Sequence, residues 1–549
     1  MEKHENESVV TATVLSEGST IDPEYSIMSI DIIKEVNKIP TAQIILLDGD
    51  AAKQEFAISN TDFFKPAKKI EIQLRYEGEV AEEEIVFQGI VVKHSVQADR
   101  FGSLLTIDLK DAAIKLSTER KSIVFRDMKD NEIIDKIIKK AGLQVKSKAT
   151  KAKHKEMVQY YCTDWDFVLS RADVNGNWVI VDDGKITVEE PDLSGSPKHT
   201  FEYGKNEIYE LEMEADIRHQ YGEVKSHAWD IKNQKVLKSV GKKFNLKQGN
   251  LKGDLLLSKA VGGDKLNLTS ITQIEEQEIQ AWADAKLLKS SLSMLKGRLK
   301  VPGFAKIKPG DMMEVAGVSE RFNGSTLVTG IRHQVDVKGW QTDVQFGLSA
   351  DFFARPNNDI LDTPAAGLIP AINGLQMGII DKYEADPDKQ FRVKVKIPSI
   401  ETDGIVWARL ASVESGNKRG IFFRPEPGDE VIVGFINDDP RQAIILGAVH
   451  SQKNALPPGF EVTEKNYKKG IVTKESLQIV FDDENKLIEI STPKGNKIEL
   501  SEKGKGINLK DENGNMITMD NKGIQIKSSK NITIEGKKIE IKGSKVNVI

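Results

Sequence analysis

Paired acids stand at Asp482-Asp483 and at Glu189-Glu190. Two carboxyls can divide general-acid and general-base work at a glycosidic bond, provided a cleft holds them at a set separation. Both pairs fall in polar, turn-like stretches, which reads as solvated surface. The histidines His94, His154, His199, His219, His227, His333 and His450 show no H-x-x-x-H spacing and no zinc-ligand pattern. No histidine follows His450, so a histidine-bound metal has no place downstream of it. The single cysteine, Cys162, cannot make an internal disulfide, and as a nucleophile it would need a base and a shaped pocket. It reads as a small apolar filler. Gly303 and Gly310 belong to neither a P-loop nor a dinucleotide fingerprint. Lys146, Lys148, Lys151, Lys153 and Lys155 form a basic run without interleaved aromatics, the pattern of a solvated loop. No catalytic residue, no cofactor site and no metal site is expected.

The chemistry therefore gives way to architecture. The 549 residues suffice for about three or four domains. Charged residues make up 29% and hydrophobic ones 39%, and the net charge of −5 offers no basic field for nucleic acid. No stretch approaches the roughly 20 apolar residues that span a bilayer. The start, Met1-Glu2-Lys3-His4-Glu5, lacks the apolar run of a signal peptide. The chain is expected to begin in the cytoplasm and to leave it, if at all, by another route.

The pattern is mainly β with some α, in several domains. Within 1–355, Ala42–Leu47, Ile70–Leu74 and Leu105–Leu109 read as strands. Ile133, Ile134, Ile137 and Ile138 make a helical stripe that Gly142 ends. A longer helix is expected from Gln273 to Lys296, with Thr272 and Glu275 at capping-box spacing and Gly297 past its end. Its face of Ile279, Trp282, Ala283, Lys286 and Leu287 reads as packing. A linker at 356–372 leads to a β segment at 373–453. There Phe391, Val393, Val395 and Ile397 alternate with basic residues, and about five short strands suit a small OB-type barrel. A second linker, 454–475, carries Leu456-Pro457-Pro458-Gly459.

Residues 476–549 carry a repeat of apolar-x-apolar triplets. These are Ile488 and Ile490, Ile498 and Leu500, Ile507 and Leu509, Ile517 and Met519, Ile524 and Ile526, Ile532 and Ile534, Ile539 and Ile541, and Val546 and Val548. The steps between them are 10, 9, 10, 7, 8, 7 and 7 residues, and turn formers fill the gaps. Each triplet is a short strand with two apolar side chains on one side. Such strands need partners, and repeats find them by stacking. A single-chain β-helix uses about 18 or more residues per coil, whereas an intertwined triple-stranded β-helix takes one strand per chain per layer. The short steps favour the latter, so these sixteen residues are expected to form the core of a homotrimeric needle. Burying each Ile contributes roughly 1.5–3 kcal/mol, which summed over layers makes a stiff rod. A passive stalk and a piercing needle both fit that rod.

The barrel segment resembles VgrG proteins and related phage-baseplate spikes. The likeness rests on Arg392 in Phe391–Val395, and on Trp407 and Arg409 in Trp407–Leu410. It continues through Pro427 and Gly428 in Arg424–Val431, Phe435 and Pro440 in Gly434–Arg441, and Gly447. Asn37–Ala42, Asp164–Arg171, Val224–Asp230, Pro309-Gly310-Asp311 and Phe346-Gly347-Leu348 resemble the family's tail-hub-like shell in order. The resemblance implies two related barrels within 1–355, making a pseudo-hexameric ring in the trimer. It implies a hexameric, Hcp-like tube protein above, baseplate components around it, and a PAAR-type tip protein seated at Val548 and Ile549. It also implies effector cargo carried by sheath contraction, and a target membrane met only by mechanical piercing. The owner is a type VI secretion system, an extracellular contractile particle or a phage-like tail. An envelope hydrolase built on a β-helix and a trimeric adhesin fibre are the competing classes. Only about 25 residues separate His450 from the repeat, too few for an inserted catalytic domain.

Overall fold

Alternating apolar residues organise most of this chain into sheets. The computed structural model describes residues 9–50, 53–77, 83–100, 102–192, 194–244, 248–250, 259–402 and 404–549; Met1–Glu5 lies outside them. Two units separate, 1–362 and 363–549.

In the first unit Ile27–Glu35 pairs antiparallel with Thr41–Leu47, which pairs with Gly102–Lys110. Glu84–Asp99, Lys69–Tyr76 and Val10–Ser16 continue the ladder. The inward positions, among them Ile32, Ile44, Ile72 and Ile107, fill one core. A second lobe joins Glu210–Ala215, Leu295–Pro302, Gly339–Phe346 and Gly324–Asp336 around Phe201, Leu299 and Val344. Gly324–Asp336 also pairs with Ile27–Glu35. The shell expected as two related barrels is thus two lobes of one 13-stranded sheet, each with its own core.

Helix α1, Asp130–Lys140, buries Ile133, Ile134, Ile137 and Ile138, and Gly142 follows at φ 75°. Helix α2, Asp164–Val174, is capped by Thr163, whose side chain accepts from the Asp166 N–H. Helix α3, Glu276–Leu292, is shorter than the expected Gln273–Lys296, and its N-cap Glu275 makes no side-chain cap. Ala283 and Leu287 pack on Val224 and Leu268. Gly297 is not a helix stop. It lies in Leu295–Pro302, where a Cβ would come within 2.2 Å of the Glu212 carbonyl oxygen and 2.5 Å of the Phe346 ring. Close backbone approach inside a sheet explains that glycine better than any turn.

The second unit begins with a closed five-stranded barrel: β1 (Gln376–Ile380), β2 (Val393–Lys396), β3 (Ile405–Leu410), β4 (Glu430–Phe435) and β5 (Ala443–Ala448). Val393, Val395, Ile397, Val431, Val433 and Ile445 fill it. Phe391 does not join that alternation: it is 82% exposed and sits at φ 59° in the turn before β2.

Candidate functional site

The needle segment is an antiparallel sheet within one chain. Its strands are β6 (Lys468–Val472), β7 (Gln478–Asp482), β8 (Leu487–Ser491), β9 (Lys497–Ser501), β10 (Gly506–Lys510), β11 (Met516–Asp520) and β12 (Gly523–Lys527). Each pairs with the next. This differs from one strand per chain per layer. A step of 9 or 10 residues holds a five-residue strand and a reversal, so the chain folds back on itself before it needs a partner. The sheet also begins earlier than residue 476, because Ile471 and Lys469 pair with Ile479 and Phe481.

The reversals on one edge share a design. Thr473, Thr492 and Asp511 open turns in which their own N–H bonds the carbonyl of Leu477, Asn496 and Asn515, at 2.9, 2.9 and 3.1 Å. Gly495 and Gly514 supply φ of 95° and 87° in the last two. Stacked turns are cross-tied: Asn496 Oδ1 accepts from the Glu512 N–H at 3.2 Å, and Asn515 Oδ1 accepts from Ser528 Oγ at 2.7 Å.

Register sorts the sheet into two faces. One column runs Phe481, Ile488, Leu500, Ile507, Met519 and Ile524; the next runs Ile479, Ile490, Ile498, Leu509, Ile517 and Ile526. All share one face, with Ile488 41% and Ile526 56% exposed in a single chain. The expected core positions are therefore brought together but not buried by one chain alone. The other face carries Glu489, Glu499, Asn508, Thr518 and Gln525 between those columns. A continuous apolar face of this length does not persist in water; its chemistry is assembly.

The last three triplets are more open still in the single chain. Ile534 is 67% exposed and Ile541 is 71% exposed, so neither is a core residue of the single chain. Ile532, Ile539 and Val546 are about half exposed, and Val548 and Ile549 are fully open. None of these residues belongs to a strand among the described residues. The 7-residue step from Ile517 to Ile524 still closes the β11–β12 hairpin, but beyond Lys527 the described residues form no further strand, so nothing from the same chain comes back to cover Ile534 or Ile541.

The barrel residues singled out from the sequence divide by role. Arg392 bonds Asp386 at 2.7 Å, pairs with Asp388, and lies over the Trp407 ring at 5.8 Å. Arg392 holds the Asp386 carboxyl far below the usual range. Lys382 and Lys394 hold Glu384 down at about 2. Gly428 turns the chain at φ 94°, after Pro427, and the Glu426 N–H donates to Asp429 Oδ2 at 2.7 Å. Phe435 enters the core, Pro440 sits in the turn where Asp439 meets Arg441, and Arg409 and Gly447 face outward.

Three of the four paired acids have partners. Asp482 is buried, contrary to the surface reading, and accepts from the Asn485 N–H and Nδ2 at 3.0 and 2.9 Å. Asp483 pairs with Lys469 and Glu190 with Lys148, which withdraws Lys148 from the basic run. Among the described residues no group of three or more His, Cys, Asp or Glu could hold a metal ion.

One charged cluster escaped the sequence. Asp130 on α1 meets Arg171 on α2 at 2.7 Å and His154 at 3.2 Å; Arg171 reaches Glu278 on α3 at 2.6 Å. Burial pushes the Asp130 carboxyl up, but hydrogen bonds from His154 and Arg171 outweigh it and hold the carboxyl well below its ordinary value. Four distant sequence positions carry no shared spacing, so only the fold unites them. Each group is consumed by another, which ties three helices together and leaves no free acid or base.

A second polar region is an open trough of about 940 Å³ on the second lobe, lined by Glu35, Glu212, Arg298, Arg332, Asp343 and Gln345 among others. Arg298 engages Glu210 and Glu212, and Arg332 engages Asp31. Burial pushes the Asp343 carboxyl up.

Three family models match the chain. Residues 6–336 match the Alg8 N-terminal domain. Residues 376–450 match the type VI secretion system/phage-baseplate injector OB domain, and 487–548 the phage baseplate V C-terminal trimerisation domain. The type VI secretion system spike protein VgrG5 of Pseudomonas aeruginosa is 28% identical over 130 residues, covering 22% of this chain and 16% of that one. VgrG3 of Vibrio cholerae, also a type VI spike protein, is 38% identical over 71 residues, 12% of this chain and 7% of that one. The matched stretches thus span a small part of those relatives. The 43 kDa tail protein of prophage MuSo2 from Shewanella oneidensis aligns at 13% identity with a TM-score of 0.47, covering 62% of this chain and 98% of that one.

Proposed function

The chain belongs to the Alg8 N-terminal domain family and, with its injector OB and trimerisation domains, to the VgrG-type spikes of type VI secretion and phage baseplates, and from that premise we propose that it tips the inner tube of a contractile injection apparatus. The observation that carries this reading is the two-column apolar face from Ile471 to Ile526, directly downstream of a barrel of the injector type. Three such faces turned to one axis close a prism with no apolar surface left outside. The polar face, with Glu489 and Glu499, becomes its coat. Ile534 and Ile541, which one chain leaves open, take their cover from the other two.

In this role the shell docks a hexameric tube protein, baseplate components surround it, and the needle ends in a seat for a PAAR-type tip at Val548 and Ile549. Effectors travel with it, and the target membrane is met by mechanical piercing. The protein assembles in the cytoplasm and leaves through the apparatus. The spike works without chemistry of its own. Support for that comes from the mutual pairing of Asp130, Arg171 and Glu278 and from the partners held by Asp482 and Asp483.

The deciding experiment measures mass in solution and co-purification with tube and tip proteins. A trimer that retains both partners supports the spike. A stable monomer overturns it. The hydrolase alternative centres on Asp343 in the trough; peptidoglycan release that Asp343→Asn abolishes would establish it instead.

A further inference from the structure

Charge changes along the needle. From Lys468 to Ile526 ten lysines are balanced by ten aspartates and glutamates. Several of these are tied: Lys469 to Asp483, Lys486 to Glu502, and Lys497 to both Glu489 and Glu499. From Lys527 to Ile549 six lysines stand against two glutamates, a side-chain charge of +4 per chain. The lysines keep a rhythm. Lys527 and Lys530 lie between Ile526 and Ile532, Lys537 and Lys538 between Ile534 and Ile539, and Lys542 and Lys545 between Ile541 and Val546. Each of these gaps between apolar triplets holds two.

All six are exposed. Lys538 and Lys542 share one carboxylate, Glu540. Among the described residues Lys527, Lys530, Lys537 and Lys545 meet no carboxylate. No aromatic residue follows Phe481, so the segment offers no ring on which a nucleobase could stack. A rod that only pierces gains nothing from such charge. Like charges crowded on a narrow shaft repel one another and oppose compact assembly. The upstream sheet avoids that repulsion by balance and pairing; this segment does not. In a trimer each gap sets six lysines around the shaft, with the apolar triplets turned inward.

We infer that Lys527–Ile549 is a cationic collar for the phosphate-bearing headgroups of an anionic membrane, which holds the needle to the bilayer before force drives it through. The inference rests on the spike reading above, which puts this segment at the leading end of the needle. The argument is charge complementarity. An anionic leaflet is a plane of closely spaced fixed negative charge, and clustered lysines are drawn to it once they come within a Debye length. Rings of lysine repeated along the shaft keep that attraction as successive layers enter the headgroup region. Lysines that served only an acidic tip protein would have no affinity for lipid without it.

The test uses the purified full chain without a tip protein. It is sedimented with vesicles of phosphatidylcholine alone and with vesicles containing about one-third phosphatidylglycerol. Each is run at low salt and at about 1 M salt, where the Debye length falls to about 3 Å. Two triple variants remove the same charge: Lys530→Gln, Lys537→Gln and Lys545→Gln in the collar, and Lys494→Gln, Lys505→Gln and Lys522→Gln upstream. The wild-type trimer is expected to pellet with the anionic vesicles at least several-fold more than with the neutral ones, and to be released at high salt. The collar variant is expected to lose most of that binding and the upstream variant to keep it. A trimer that fails to pellet, that pellets equally with both vesicle types, or that loses binding equally in both variants overturns the collar and leaves the spike standing. A monomeric mass overturns the spike reading and the collar with it.

Discussion

Glu489 and Glu499 stand directly opposite each other on the polar face of the needle sheet, and Lys497 Nζ lies 2.8 Å from one and 2.9 Å from the other. Like charges facing across two strands destabilise a sheet, so the lysine turns a repulsion into a bridge. Its hydrogen bond to Glu489, with that to Glu499, raises the Lys497 pKa. A raised lysine pKa means that the folded sheet holds the proton more tightly than the unfolded chain. The stabilisation is therefore present below the ordinary value near 10.5 and is lost as pH rises through the folded value. Lys497→Met is expected to cost roughly 0.5–1 kcal/mol per chain at neutral pH, since the group is about one-third exposed and partly screened. Thermal unfolding of the needle at pH 7 with and without the substitution measures it; no change would show that solvent already screens the two glutamates.

Ile517 lies between Leu509 and Ile526 in one apolar column. Ile517→Asp places a carboxylate on the face that three chains share. Removing one buried Ile forfeits roughly 1.5–3 kcal/mol per chain, and burial opposes ionisation of the new acid. Its pKa is raised in the trimer relative to the free chain, so assembly takes up protons and strengthens as pH falls. Sedimentation at pH 8 is expected to show dissociation, with partial recovery at pH 5. A trimer unaffected at pH 8 would place Ile517 away from the shared surface.

These columns show what the sequence can and cannot say. The triplets are a period-two pattern bounded by turn residues, and such local signals survive into the fold at Ile488–Ile526 unchanged. Which strand lies beside which is not a local property. The same triplets serve a self-pairing sheet or an intertwined helix, and step length does not tell them apart, since the 7-residue step from Ile517 to Ile524 folds back into a hairpin. Ile534 and Ile541 carry the same triplet pattern as Ile490 and Ile498, yet no strand of the same chain pairs beside them and they stay open. Gly297 misleads for a similar reason: a glycine after a helical pattern signals a stop, but this one answers to Phe346 in a neighbouring strand. Asp130, His154, Arg171 and Glu278 have no shared spacing to read at all. Lys286 stands on an apolar helical face, a pattern that reads as packing; it is buried there, donating to the Ala350 carbonyl at 2.6 Å between the Tyr221 and Phe352 rings.

The Asp130 cluster bears on the shell's stability rather than on chemistry. Arg171 bonds Asp130 and Glu278 at once, so Arg171→Met leaves the buried Asp130 and the half-buried Glu278 without their shared cation. Breaking a buried pair from one side costs about 3–5 kcal/mol. The depressed Asp130 pKa adds a pH signature. Its contribution is present above the unfolded value of 3.8 and disappears as pH falls through the still lower folded value. Denaturant unfolding of wild-type chain and Arg171→Met at pH 7 and pH 3 checks both points. Equal stability at pH 7 would mean that solvent reaches the cluster.

The end of the needle separates tip binding from trimer formation. Lys545–Ile549 contributes only Val546 and Val548 to the apolar repeat, and Val548 and Ile549 are open in the chain. The seven paired strands from Lys468 to Lys527 lie upstream and keep both apolar columns when these residues are removed. Deleting Lys545–Ile549 is therefore expected to leave the trimeric mass unchanged and the thermal midpoint within a few degrees. Capture of a PAAR-type protein in a pull-down is expected to fall to background. The two readouts oppose each other by design. Retained capture by an intact trimer would move the seat upstream, to the triplets that end at Ile534 and Ile541. Loss of the trimer together with capture would show that the last residues close the assembly.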